Sequence, residues 1–303
     1  MLRYRLISTA FVAATALQLA VARAEPGVPA LRITAPNGAK SVLIGTLHVA
    51  AEGLRQPAAG VLDEARHFVV ESVAGKGMAQ PAIAPEVLSG QTPRARWASF
   101  LSAAQLDELQ RRAACVESAE GYPPFSLRAV VNRSLTYASA ATLSGIAIYR
   151  CAPAGLRSRD GLLAQAALAR GLPPTPLETQ QEVQHQREAM PEAFYVAQLY
   201  DALRPQSDAP QRRVIDALNA GDYEALGETV RATVRSPELA QTLYDTMVAQ
   251  RNQLWLPRLV ARLDDGDAFV AVGAYHLAGP LGLVQLLEER GYRIMPIEIH
   301  AAL

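Results

Sequence analysis

Two stretches of this chain, 228 positions apart, can be laid over each other without a gap. They are Val42-Leu43-Ile44-Gly45-Thr46-Leu47-His48-Val49-Ala50 and Val270-Ala271-Val272-Gly273-Ala274-Tyr275-His276-Leu277-Ala278, in which Val, Gly, His and Ala coincide. Random placement of this chain's glycines and histidines gives roughly 0.3 Gly-x-x-His occurrences, so two in similar apolar settings exceed what composition supplies. The likeness runs on. Helical spacing over Pro57 to Arg66 leads into the β-rich Phe68-Val69-Val70, and a helix from about Leu281 to Arg290, capped by Gly291, leads into a strand from Arg293 to Ile299. A β-loop-helix-β unit used twice is the reading. In such units the residues after the strand lie beyond its carboxyl end, where open α/β sheets gather ligands.

Between and before these units the chain reads as follows. Ala30 to Thr34 is a strand, Pro36-Asn37-Gly38 a hairpin turn and Ser41 to Gly45 its partner strand. From about residue 85 to 263 the pattern is helical. Ser102 stands as N-cap ahead of Leu106, Leu109 and Ala113, a helix from Leu127 to Ala141 follows the Pro123-Pro124 break, and Ser158 or Asp160 caps a helix that Gly171 ends. Asp264-Asp265-Gly266-Asp267 lacks the closing Glu of a calcium loop and reads as a solvated turn into the strand Ala268 to Val272. The expected fold is α/β, a mixed sheet built from the two end units with a large helical insertion between them, and residues 25–303 form one domain.

If the units pack side by side, His48 and His276 face one space. Gly45 and Gly273 allow a positive φ and a close backbone approach there. Glu71, which ends the strand of the first unit, arrives at the same sheet edge. Two neutral imidazoles and a carboxylate suit Zn²⁺ or another first-row divalent ion with a position left for water. Alternatively Glu71 is the general base that takes the water's proton. Glu298 is the approximate counterpart in the second unit, though strand alternation can place it on the opposite face. His67, His185 and His300 have no comparable context and read as surface or cap residues. No Gly-x-Ser-x-Gly elbow, phosphate loop or His-Glu-x-x-His helix is present.

Residues 1–24 read as a cleavable export signal. Arg3 and Arg5 precede an apolar run from Leu6 to Leu19, and Ala22-Arg23-Ala24 fits the small-x-small cleavage rule. The expected product is periplasmic or secreted, with no membrane anchor retained. Without the signal the chain carries 26 basic and 29 acidic residues, a balance that offers no electrostatic case for nucleic acid. Its two cysteines, Cys115 and Cys151, are bound for an oxidising compartment, and a disulfide between them is predicted.

At these residues the sequence resembles the TraB/GumN family, which includes the Tiki metalloproteases. The resemblance rests on Ile44-Gly45-Thr46-Leu47-His48 with Glu71, on Phe269 to Tyr292, and, in order between them, on Asp160 with Leu163, Leu177-Glu178-Thr179 and Arg251-Asn252. It implies a metal-dependent peptidase centre carried by His48, His276 and Glu71, with manganese or cobalt as the ion and a peptide or protein as substrate. Other relatives are associated with sequestering peptides, so a non-catalytic peptide-binding protein is the alternative. Glu178 and Arg251 match family positions suited to an ion pair behind the ligands or to a substrate anchor. Tyr275 is a further candidate for substrate binding. Val183 stands where the resemblance leads one to expect Gln.

Overall fold

The computed structural model describes residues 27–73, 95–120, 128–129, 131–132, 135, 140–149, 151, 153, 155–204 and 209–302. The expected signal and its cleavage point fall outside these.

Strand β1 (Val28–Thr34) turns at Asn37-Gly38 into β2 (Lys40–Thr46). Gly38 has a φ of +90°, and Asn37 Oδ1 accepts the Ala39 N–H at 2.9 Å, the side-chain chemistry of a tight turn. With β3 (His67–Val70), β4 (Pro174–Pro176), β5 (Ala268–Gly273) and β6 (Arg293–Ile299) these form a sheet of order β4-β3-β5-β2-β1-β6. Neighbours from β4 to β2 are parallel, whereas β1 is antiparallel to both β2 and β6. The two similar segments are therefore adjacent: Gly45 lies opposite Val272, and Thr46 opposite Gly273.

Every residue of β5 is buried, as expected of a parallel strand covered on both faces. Alternation sorts its side chains. Val270 and Val272 join Leu43, Val69, Trp255 and Leu259 on one side, while Phe269 and Ala271 join Ile44, Phe68, Leu62 and Leu163 on the other. In chain order the helices are α1 (Ala103–Glu120), α2 (Ala140–Ile148), α3 (Arg159–Ala169), α4 (Gln180–Ala189), α5 (Glu192–Ala202), α6 (Ala209–Ala220), α7 (Tyr223–Thr233), α8 (Pro237–Tyr244), α9 (Gln250–Asp265) and α10 (Leu283–Glu288). Helices α6, α7, α9 and α10 pack on the first face, and α3 packs on the second. Helices α1, α2 and α5 build a separate apolar cluster around Leu109, Leu143 and Leu199.

Local signals account for several helix ends. Ser102 and Gln105 bond reciprocally at the start of α1. Ser158 accepts from Gly161 N at the start of α3, Gly171 follows α3 with φ +66°, and Thr179 forms a capping box with Glu182 at the start of α4. Of the acidic run, Asp264 and Asp265 end α9, and the turn into β5 is made by Gly266 and Asp267 alone, both at positive φ. Cys115 and Cys151 are joined in a disulfide, Cα atoms 5.3 Å apart. It ties α1 to the chain beyond α2.

Two expectations need correcting. Pro57 to Arg66 is not a helix; it holds a single 3₁₀ turn, Ala59–Leu62. Pro57 is held extended by a bridge to Ala301, and Gly60 sits inside the remaining short stretch, too few residues to sustain an α-helix. The middle of the chain also contributes to the sheet, because β4 forms its edge beside β3. Within the helix expected over Leu127 to Ala141, residues 128–129 and 131–132 are helical and α2 starts at Ala140; the remainder lies largely outside the described residues.

Candidate active site

Strands β2, β5, β3 and β4 point their carboxyl ends the same way, and each is followed within a few residues by a polar side chain: His48, His276, Glu71 and Glu178. Glu71 is the meeting point. Its Oε1 accepts the Gly273 N–H at 2.6 Å and lies 3.4 Å from His48 Nε2 and 3.8 Å from His276 Nε2. Its Oε2 accepts from Arg251 Nη2 at 2.9 Å.

Arg251 is held by more than Glu71. It donates to Glu178 through Nε at 3.1 Å and Nη2 at 2.5 Å, and Nη1 reaches the Met247 carbonyl at 3.2 Å. Trp255 Nε1 donates to Glu178 Oε2 at 2.9 Å, and the Arg251 guanidinium lies 4.7 Å from the Trp255 ring centroid. Two buried carboxylates thus share one buried cation, a unit whose members cannot be removed singly without stranding charge. A π-helical turn, Asp245–Ala249, immediately precedes α9, and such turns gather at functional positions.

The glycines act through space and not through φ, since neither Gly45 nor Gly273 has a positive value. A Cβ on Gly45 would lie 2.5 Å from the Tyr223 ring and 2.9 Å from Ala274 Cβ. On Gly273 it would lie 2.9 Å from Glu71 Oε1 and 3.0 Å from His48 Nε2. Only glycine lets the two loops and the carboxylate close up.

His276 is 5 % exposed, with its ring 4.3 Å from that of Trp255. Asn252 Nδ2 donates to the carbonyls of His276 and Leu281, which turns Asn252 Oδ1 toward His276 Nδ1 at 2.7 Å. That fixes the proton on Nδ1 and leaves Nε2 with its lone pair. Burial lowers the ring's pKa to about 3; Glu71 opposes this, while Arg251 and His48 add to it. His48 has the opposite surroundings. Its side chain is 60 % exposed, with Nδ1 3.3 Å from Asp160 Oδ2, while Asp160 Oδ1 accepts from Thr46 Oγ1 at 2.7 Å. Glu71 raises the His48 pKa well above its ordinary value, overcoming the partial desolvation of the ring, and Asp160 helps. Burial by itself would raise Glu71, but His48, His276 and Arg251 outweigh it and hold the carboxylate well below its usual range. Behind the first loop, Arg159 is fully buried and donates to the Gly45 and Arg55 carbonyls at 2.5 and 2.7 Å; burial lowers its pKa to about 10.

A family model, TraB/PrgY/gumN, matches residues 30–296. The chain belongs to the TraB/PrgY/gumN family. No curated protein and no solved structure matches it.

Within this TraB/PrgY/gumN chain, His48, His276, Glu71, Gly45, Gly273, Glu178 and Arg251 come together. Of the two roles open to Glu178 and Arg251, an ion pair or a substrate anchor, the ion pair is present, and the other Arg251 donors go to Glu71, the Met247 carbonyl and His276. Tyr275 points elsewhere, toward Tyr244 and α7, and its hydroxyl is buried with no partner among the described residues. Glu298 pairs across from Pro29 on the far edge strand β6, exposed and away from the site. His67 pairs with Asp265 at 3.1 Å, and His185 and His300 are exposed. Sequence reasoning gave Asn252 and Trp255 no role. Their signal is in α9, where Arg251, Asn252 and Trp255 share the buried stripe of Leu256, Leu259 and Leu263. Polar groups on an apolar stripe call for a partner.

The donor set can be tested against a divalent ion. Ligands about 2.1 Å from a tetrahedral ion lie roughly 3.4 Å apart, close to the separations of the two Nε2 atoms from Glu71 Oε1. Among the described residues, no group of three or more His, Cys, Asp or Glu side chains is placed so that it could hold a metal ion as it stands. Arg251 Nη1, 3.2 Å from His276 Nε2, rests on the lone pair that an ion would use. In donor type, and in the reach of each imidazole to the Glu71 carboxylate, His48, His276 and Glu71 suit such an ion.

Proposed function

We propose that this chain is a periplasmic or secreted hydrolase of peptide bonds, in which His48, His276 and Glu71 hold a divalent manganese, cobalt or zinc ion. One observation carries the reading: imidazoles from opposite ends of the chain reach a single carboxylate oxygen. When bound, such an ion lowers the pKa of its water toward ~7 and polarises the scissile carbonyl.

The protein's own groups do the rest. Asn252 keeps the His276 proton on Nδ1, and burial keeps that ring neutral, so Nε2 is presented as a donor. Asp160 Oδ2 lies 3.3 Å from His48 Nδ1 and favours a proton there, so that Nε2, the atom facing Glu71, is the donor whenever this readily charged ring is neutral. Glu71 is kept ionised by its cationic neighbours, ready to ligate or to take a proton from attacking water. Arg251 balances Glu71 and Glu178 and orients the former; with its donors committed, it organises the centre instead of gripping substrate. The exposed face of His48 is the side open to a peptide.

A non-catalytic peptide-binding protein is the competing reading. It is favoured by the Arg251 contact to His276 Nε2, which completes the hydrogen bonding of that ring within the protein. Purified protein incubated with a mixed peptide library and Mn²⁺, Co²⁺ or Zn²⁺ separates the two. Metal-dependent cleavage that is lost in His276→Ala supports the hydrolase. Cleavage in chelator, or cleavage unchanged by the substitution, overturns it.

A further inference from the structure

The helical layer holds a cleft of about 670 Å³, within the ~300–1,000 Å³ typical of ligand sites. It is distinct from the histidine centre. Helix α7 separates them: Leu226, Gly227 and Val230 face the core and the second Gly-x-x-His loop, whereas Thr229 and Thr233 line the cleft on the opposite side of the helix.

Its walls combine two chemistries. Arg204, Arg213 and Arg235 line it with Asp201 as the acidic member; a fourth arginine, Arg112, has its guanidinium engaged by Glu108 and the Ala147 carbonyl. Arg204 and Arg235 both lie near Asp201 Oδ1, at 3.7 and 3.0 Å, yet remain 52 % and 66 % exposed. Among the described lining residues, one carboxylate beside three arginines leaves an excess of positive charge on a chain that is neutral overall. The second chemistry is apolar. Ile148 lines the cleft and is 48 % exposed, beside the buried Phe194.

We infer that this cleft binds an acidic peptide segment, with carboxylates on Arg204, Arg213 and Arg235 and an apolar side chain laid against Ile148. Guanidinium forks recognise carboxylates directionally, and the exposed isoleucine gives an apolar residue between them a place to leave water. The choice of a peptide rests on the proposed function; binding itself requires no turnover. In that setting the cleft is an anchoring site that selects acidic substrates.

The test is fluorescence anisotropy of the metal-free protein with a labelled peptide, Gly-Asp-Leu-Glu-Asp-Gly, against its uncharged analogue Gly-Asn-Leu-Gln-Asn-Gly and a version with Ser for Leu. The acidic peptide is expected to bind at least about tenfold more tightly than either, with affinity falling as salt rises. Arg213→Glu, at an exposed position, and Arg204→Ala with Arg235→Ala are each expected to weaken it about tenfold while melting like the parent. Equal binding of the three peptides, or unchanged affinity in both variants, overturns the inference. His48→Ala keeps the two proposals apart: if hydrolysis is absent or lost while this protein still binds the acidic peptide through its arginines, the cleft stands and the hydrolase reading alone is affected.

Discussion

His48 and His276 occupy the same place in two nearly superimposable segments, yet the fold treats them as opposites. The first ring is largely exposed, flanked by Asp160 and Glu71, and its pKa is raised. The second is buried under Trp255, fixed by Asn252, and lowered to about 3. What differs is the covering element. Helix α9 lies over the second loop with three polar residues on its buried stripe, whereas among the described residues the first loop is followed by a 3₁₀ turn and its His48 is 60 % exposed. A repeated motif therefore supplies two imidazoles of unlike duty, one rigid and neutral, the other accessible and readily charged.

The largest expected effect removes what the two share. Glu71→Gln should lower kcat/KM for metal-dependent peptide hydrolysis by about 10³, since a ligand or base at a hydrolytic centre contributes roughly 10²–10⁴; a loss under about tenfold would show that the two histidines do not work through it. Next comes Arg251→Met, which leaves Glu71 and Glu178 buried without their cation. Urea denaturation should show roughly 3–5 kcal/mol of destabilisation, the usual cost of breaking a buried charged unit. A change below about 1 kcal/mol would mean that water already reaches these carboxylates.

The histidines themselves sharpen the contrast. His276→Ala should cost about 2–4 kcal/mol and His48→Ala less than about 1, following burial. Their pH signatures should also oppose each other in the metal-free protein. An unfolded histidine titrates near 6.5, whereas folded His276 stays neutral down to about 3, so its contribution is full above pH 6.5 and is lost as pH falls toward 3. Folded His48 is raised, so its contribution is full below 6.5 and is lost as pH climbs through the raised value, in a smaller amount because solvent screens an exposed ring. Stability against pH should lose its acid limb in His276→Ala and its alkaline limb in His48→Ala; identical profiles would contradict the assignment. The smallest effect is steric. Gly45→Ala, whose Cβ meets the Tyr223 ring, should cost about 1–3 kcal/mol by overpacking with φ unaffected.

Much of the sheet was legible because strands announce themselves locally. The Asn37-Gly38 turn, the apolar run of β5 and the Gly291 stop before β6 each act over a handful of residues. The Gly-x-x-His pair and Glu71 were legible for a related reason: the carboxyl ends of adjacent parallel strands lie side by side. Asn252 and Trp255 were not, because their role depends on which way α9 turns its stripe. The basic cleft was hidden as well, since Ile148, Arg204 and Arg235 come from separate elements that only packing brings together.

The amino-acid sequence by itself determined the α/β class, the two loops and the identities of the groups that meet there, since turn chemistry, period-2 burial and glycine spacing are local properties. Only the tertiary structure decided which histidine is buried and neutral, why the glycines are needed and what holds Glu71 charged. Those are questions of desolvation and of distance between residues far apart in the chain, and neither exists until the helices have closed over the sheet.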